Sequence, residues 1–160
     1  DTVRPALQII GKQEGVRTIA GLYMMIFKNQ TIFIADPTVN IEPSADEMAE
    51  IALATADLAR YFDVVPRVAM LSYSSFGSAG GSSPKKVREA TELARQRRPD
   101  LEIDGEIQVT PAMHSDVRVP EFPFPTLKED ANVFVFPNLD AANIAYQMLE
   151  AMGGAEVIRG

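Results

Sequence analysis

The stretch Arg67-Val-Ala-Met-Leu-Ser-Tyr-Ser-Ser-Phe-Gly-Ser-Ala-Gly-Gly-Ser-Ser-Pro84 decides the fold. Val68 to Leu71 is a short continuous apolar run, the pattern of a strand buried on both faces in a parallel sheet. Serine and glycine then interrupt the run, and Ser83 followed by Pro84 reads as an N-cap with proline at the first helical position. Val87, Ala90, Leu93 and Ala94 continue that helix until Arg98-Pro99 stops it. A strand, a hydroxyl-rich loop and a helix start, in that order, aim backbone N–H groups and the helix dipole at one point, where an anion is stabilised.

Elements of the same kind lie on both sides. Ser44 with Glu47 forms a capping box, and Met48, Ile51, Ala52, Thr55, Leu58, Ala59 and Phe62 follow at helical spacing. Upstream, Ile19 to Phe27 and Thr31 to Ala35 read as a hairpin turning at Lys28-Asn29-Gln30. Asp1 to Ile10 reads as a helix with proline near its first turn. Downstream, Ile103 to Ile107 is a short strand, and Thr110-Pro111 starts a short helix through about Val117. Pro120, Pro123 and Pro125 predict an irregular loop that carries Phe122 and Phe124. Asn132 to Pro137 is a buried strand. A helix capped by Asp140 follows, with Ile144, Met148 and Leu149 inward and Gly153-Gly154 as its stop. Ala155 to Gly160 begins to read as a strand.

From residue 44 onward helix and strand alternate, so the expected fold is α/β: three layers, a mixed and mainly parallel sheet, helices on both faces. Ligands of such sheets bind at the carboxyl ends of the strands. That rule puts Asp36, Ser72 to Ser78, Asp104 to Glu106 and Asn138 on one edge.

With 160 residues the chain has room for one domain, since folding at this size buries roughly 70% of the unfolded surface. It divides into a junction helix over 1–18 and an α/β domain over 19–160. Hydrophobic residues at 46% and charged residues at 23% exclude a disordered chain. No apolar run reaches a membrane span, and with no signal peptide in view the expected location is cytoplasmic. A net charge of −7 argues against nucleic acid as partner. Cysteine is absent and His114 is the single histidine, which removes thiolate chemistry and most zinc sites and serine triads.

Asp36 and Asn40 flank Pro37 as turn-organising Asx residues. Asp104 and Glu106, two apart on a strand, share a face. They are either acid/base or metal-binding carboxylates, or partners of arginines; a metal would need a third ligand that the sequence does not offer. Ser72, Ser74, Gly77 and Ser78 supply hydroxyls and N–H groups to an anion. Lys85 and Lys86 open a basic helix beside them, and His114 reads as a helix-surface residue.

The ordered set Asp1-Thr-Val-Arg-Pro5, Phe33-Ile-Ala-Asp-Pro-Thr-Val-Asn40, Arg67 to Ser78, Arg98-Pro-Asp-Leu101, Ile103-Asp-Gly-Glu106, Ala131 to Asn138 and Gly153-Gly-Ala-Glu156 resembles the phosphate acetyltransferase (phosphotransacetylase) family. Within it, Ser74-Ser-Phe-Gly-Ser78 with Ser82-Ser83, and Glu121-Phe-Pro-Phe124, resemble the C-terminal phosphotransacetylase-like domain of bacterial NADP-dependent malic enzymes. The resemblance implies the second domain of an isocitrate/isopropylmalate dehydrogenase-like fold, in a fragment of a longer chain whose catalytic residues lie outside it. It therefore implies no catalytic residue and no cofactor here, with NADP and Mg or Mn belonging to a malic enzyme parent.

Two functional expectations follow. The first is a regulatory and oligomerisation module of a malic enzyme that senses acetyl-CoA; the alternative is part of a phosphate acetyltransferase. A dimerising domain without a ligand is the plain reading beside them. The expected partners are acetyl-CoA or acetyl phosphate and a second copy of the chain, the two phenylalanines of the proline loop contributing to the interface. The expected ligand contacts are Arg4, Ser72, Ser74, Gly77, Ser78 and Lys85. Arg4 carries a bidentate guanidinium in the segment that the resemblance places near the anion.

Overall fold

The computed structural model describes residues 20–123 and 125–159, so the junction helix, Arg4 and Phe124 lie outside the described residues. Eleven elements are seen among them: β1 (Leu22–Phe27), β2 (Thr31–Ala35), α1 (Ala45–Tyr61), β3 (Arg67–Leu71), α2 (Ser82–Arg97), β4 (Glu102–Ile107), α3 (Val109–Met113), α4 (Ser115–Glu121), β5 (Val133–Val135), α5 (Leu139–Met152) and β6 (Ala155–Arg159). They form one six-stranded sheet in the order β4-β3-β5-β2-β1-β6. Strands β2, β5, β3 and β4 are mutually parallel. Only β1 runs the other way, antiparallel to both β2 and β6.

Alternation along each strand builds two cores, because successive side chains point to opposite faces. Val68 and Met70 of β3 join Phe33, Ile103 and Val133 beneath α1 and α2. Their neighbours Ala69 and Leu71 join Met25, Ile34, Ile107 and Phe134 on the other face, under α3 and α5. Small residues line the helix side: Ala49, Ala52, Ala56 and Ala59 of α1 and Ala90 and Ala94 of α2 are all fully buried, which lets both helices sit close on the sheet.

The sequence signals at the ends of α1 and of the hairpin match the structure. Ser44 and Glu47 form the reciprocal capping box, and Phe27 N–H closes the turn onto Gln30 O at 2.8 Å. Gly153, at φ 84°, ends α5.

Five expectations change. Helix α2 starts at Ser82, with Gly81 rather than Ser83 at the cap position and no side-chain cap bond. Gly81 has φ 128°, and a Cβ there would collide with the Tyr73 hydroxyl, so the chain enters the helix by a route open to glycine alone. Pro84 then falls at the third helical residue rather than the first, still where its missing N–H costs nothing. The helix expected over 110–117 is two helices, broken at His114, whose backbone is extended at φ −127° and ψ 92°. Pro120 lies inside the second of them rather than in the loop. Asn138, not Asp140, caps α5, accepting from Ala141 N–H at 2.9 Å. Helix α5 also buries a different face: Ala142 is buried and Tyr146 and Leu149 pack on the core, while Ile144 and Met148 on the far side are exposed.

Candidate functional site

The parallel strands end on one edge, and the expected loop sits there. Ser72 N–H donates to Ile107 O at 2.9 Å and Phe76 N–H to Glu106 O at 2.9 Å, so the loop after β3 is tied to the end of β4. The loop is also tied to itself. The Ser74 hydroxyl is fully buried, donates to Ala79 O at 3.1 Å and accepts from Ala79 N–H at 2.9 Å. Ser78 Oγ accepts from Ser75 N–H at 2.9 Å, and Ser72 Oγ accepts from Ser74 N–H at 3.2 Å. Ser75 Oγ accepts from Gln108 N–H at 3.0 Å. Tyr73 spans the outside, its hydroxyl donating to Gly80 O at 2.7 Å.

Ser72, Ser74, Gly77 and Ser78 are therefore brought together as expected. The serine oxygens, however, shape the loop by accepting from its own backbone, and Gly77 and Ser78 form the exposed tip. Lys85 is exposed on the first turn of α2. Lys86 reaches back across the strand ends, donating from Nζ to Pro137 O at 2.8 Å and pairing with Glu42 at 3.4 Å.

Asp104 and Glu106 do not form a site together. The ladder to β3 passes from Gly105 to Ile107 and skips Glu106, and each carboxylate takes its own arginine from α2. Glu106, fully buried, accepts from Arg88 Nε at 2.8 Å and Nη2 at 2.6 Å through one oxygen, while its other oxygen has no partner among the described residues. Asp104 accepts from Arg95 Nη2 at 2.8 Å, Thr126 N–H at 2.9 Å, Thr126 Oγ1 at 3.0 Å and Leu127 N–H at 2.8 Å. The arginine-partner reading holds, and the metal reading does not fit carboxylates so engaged. Among the described residues no group of three or more His, Asp or Glu is placed to hold a metal ion.

Asp36 leaves the strand end at φ 52° and organises the next loop. Its oxygens accept from Gly21 N–H at 3.1 Å, Val39 N–H at 2.9 Å and Asn40 N–H at 2.8 Å, and from the Asn40 side chain. His114 is exposed as read, but it lies in the extended break between α3 and α4 rather than on a helix. Nearby, the Ser115 N–H donates to Asp130 at 2.8 Å and holds that carboxyl below the usual aspartate range.

Two features escaped the sequence reading. Arg118 is fully buried yet bonds to carbonyls rather than a carboxylate: Pro111 O at 2.7 Å, Ala112 O at 3.2 Å, Leu127 O at 3.3 Å and Glu129 O at 2.6 Å. It pins the proline loop to α3, and no local pattern announces it. The second is a cavity of about 240 Å³ between the two loops, lined by Phe76, Arg95, Asp104, Gly105, Phe122 and Pro125. Phe76 and Phe122 meet edge to face there, with centroids 5.0 Å apart. Among the described residues no helix is long and apolar enough to cross a membrane.

Known proteins share this sequence and this fold. The family model described as Phosphate acetyl/butaryl transferase matches residues 1–160. A phosphate acetyltransferase of Bacillus subtilis is 43% identical over 158 residues, covering 99% of this chain and 49% of that protein. One of Escherichia coli is 41% identical over 150 residues, covering 94% of this chain and 21% of that protein. The chain thus spans about half the length, or less, of these curated relatives. A phosphotransacetylase structure from Staphylococcus aureus superposes with TM-score 0.87 at 41% identity, covering 98% of this chain and 49% of that one. One from Streptococcus pyogenes gives TM-score 0.87 at 38% identity, covering 94% and 46%. These names reverse the order of the two functional expectations: they favour the phosphate acetyltransferase reading over the malic enzyme module. With a family model matched end to end and the mixed α/β sheet reproduced in solved phosphotransacetylases, the chain belongs to the phosphate acetyl/butyryl transferase family.

Proposed function

We propose that this chain builds one wall of the cleft of a phosphate acetyltransferase, which moves an acetyl group between CoA and inorganic phosphate. The observation that carries the reading is the family match along residues 1–160, and the self-braced loop over 72–81 at the carboxyl ends of parallel strands supports it. In the reaction a phosphate oxygen attacks the thioester carbonyl carbon, the C–S bond breaks, and the sulfur leaves as thiolate to be protonated as CoA. Charge develops on the carbonyl oxygen and on sulfur, so fixed donors near them lower the barrier.

The residues of this chain bind and position. Ser72, Ser74 and Ser78 hold the loop in one shape, which spares the site reorganisation when an anion arrives. Gly77 allows close approach to the loop backbone, with φ 86° and open space where a side chain would stand apart from the Arg88 guanidinium. Lys85 offers a mobile cation to a phosphate group, and Arg4 a bidentate one. In a chain of net charge −7 such local cations decide where an anion settles. Self-association is part of the same proposal; light scattering that returns only monomer sinks it.

The test is thiol release from acetyl-CoA on addition of phosphate, measured on the polypeptide that carries this segment. Phosphate-dependent release of CoA is expected. Malate-dependent reduction of NADP without it would restore the malic enzyme reading and refute this one.

A further inference from the structure

Glu106 is a fully buried carboxylate that the proposed reaction does not use, yet it meets the loop over 72–81 at its tip. Within itself the loop is closed by its serines, and its start is tied to the end of β4 through Ser72 and Ser75. The tip, Phe76 to Ser78, is held less. Among the described residues its one hydrogen bond to anything outside the loop runs from Phe76 N–H to Glu106 O, at 2.9 Å. That carbonyl is free to accept because the ladder to β3 skips Glu106. Phe76 adopts φ 48°, a left-handed conformation that a bulky residue keeps only where its surroundings hold it there. The orientation of Glu106 therefore decides where the tip stands. That orientation is set in turn from α2: Arg88 gives Nε at 2.8 Å and Nη2 at 2.6 Å to one oxygen of the buried carboxylate. The same Nη2 lies 3.9 Å from where a Cβ on Gly77 would stand, so one half-exposed guanidinium borders both the carboxylate and the tip.

We propose that Arg88 and Glu106 are positioning residues: their ion pair fixes the carbonyl that holds Phe76, and so sets the loop tip against the end of β4. The inference rests on the transferase reading for what the tip is for, a preformed wall of the cleft; its mechanical half concerns this chain alone. An ion pair suits the task. Charge-assisted hydrogen bonds are short and directional, and two donors from one planar group restrict a carboxylate more than a single bond does. Burial of Glu106 keeps water from competing for the oxygen that Arg88 holds.

The test separates position from stability. Arg88→Met leaves a buried carboxylate without its cation and lowers the urea midpoint, whereas Arg88→Met with Glu106→Met removes both charges and restores it. The double variant is the decisive one. In it, hydrogen exchange followed by NMR is expected to be about tenfold faster at the Phe76 N–H, with the Phe134 N–H of β5 unchanged. The kcat of phosphate-dependent CoA release, measured on the polypeptide that carries this segment, is expected to fall about tenfold because the cleft wall is displaced. A double variant with wild-type exchange at Phe76 overturns the inference, since the pair then serves stability alone. Wild-type turnover in the double variant overturns it as well, and a midpoint that fails to recover denies the pairing on which it stands. The transferase reading fails separately, by absent CoA release in the wild type, and exchange at Phe76 then decides the positioning by itself.

Discussion

Replacing Asp104 by asparagine tests the link between the proline loop and the sheet. Asp104 is 1% exposed and lies on β4, the edge strand, whose outer side the segment around Thr126 and Leu127 covers. One carboxylate oxygen accepts from Arg95 Nη2, Thr126 N–H and Thr126 Oγ1, and the other from Leu127 N–H at 2.8 Å. Asparagine keeps the shape but places an NH₂ against one of these donors. If its carbonyl faces Arg95, the Leu127 N–H meets another donor, and one buried unsatisfied group costs about 1–3 kcal/mol. The lost charge weakens the remaining Arg95 bond by about 1 kcal/mol, discounted because that arginine is a third exposed. The sum is about 2–4 kcal/mol, a large part of the 5–15 kcal/mol typical of a domain.

Urea unfolding followed by circular dichroism measures it. With m near 2 kcal/mol/M, the midpoint is expected to fall by about 1–2 M at unchanged m. Limited proteolysis should cut the segment over 122–131 faster than in the wild type, because its anchor to the edge strand is weakened. Thr126→Val, which removes only the hydroxyl, is expected to cost about 1 kcal/mol. A loss below about 0.5 kcal/mol for Asp104→Asn, the range of ordinary surface changes, would refute the argument.

Other perturbations follow from the same contacts. Gly105→Ala would place a Cβ 2.5 Å from Met70 Cβ and 2.6 Å from Thr91 Oγ1, so a loss of about 1–3 kcal/mol is expected in the same urea assay; a gain in stability would show that β4 yields easily. Arg88→Met leaves the buried Glu106 carboxylate without its cation, at a cost of about 2–4 kcal/mol given that Arg88 is half exposed, and Arg88→Met with Glu106→Met together should recover most of it. A double variant no better than the single one would contradict the pairing. Asp130 has a folded pKa below its unfolded value, so its contribution is complete above the ordinary aspartate range and is lost as pH falls through the lower folded value. Asp130→Asn should thus be less stable than wild type near neutrality, by under about 1 kcal/mol at this exposed position, with the gap closing in strong acid; a gap that widens on acidification would reverse the sign.

Much of the fold was legible in the residues because its signals are local. The Ser44/Glu47 capping box, the Lys28-Asn29-Gln30 turn and the Gly153 stop each act within a few residues of themselves. Helix α5 was legible in existence but not in orientation: Ile144, Met148 and Leu149 fit a helical stripe, yet the sheet selects Ala142, Tyr146 and Leu149. Periodicity identifies an amphipathic helix, while the neighbour it meets selects the face.

The candidate site divides the same way. By itself the sequence determined that a strand, a Ser/Gly loop and a helix follow one another at residues 67–97, and the family resemblance was carried by motifs readable in order. Only the tertiary structure decided what those side chains do. Ser74 and Ser78 bond within the loop, Asp104 and Glu106 belong to separate arginines, and Phe76 meets Phe122 across 46 positions of chain. Those pairings depend on how β3 and β4 lie side by side and on where the proline loop returns. Which of several possible partners a hydroxyl, a carboxylate or a ring takes is set by distances between segments remote in sequence, and a hydrogen bond or ring contact exists only within a few ångströms.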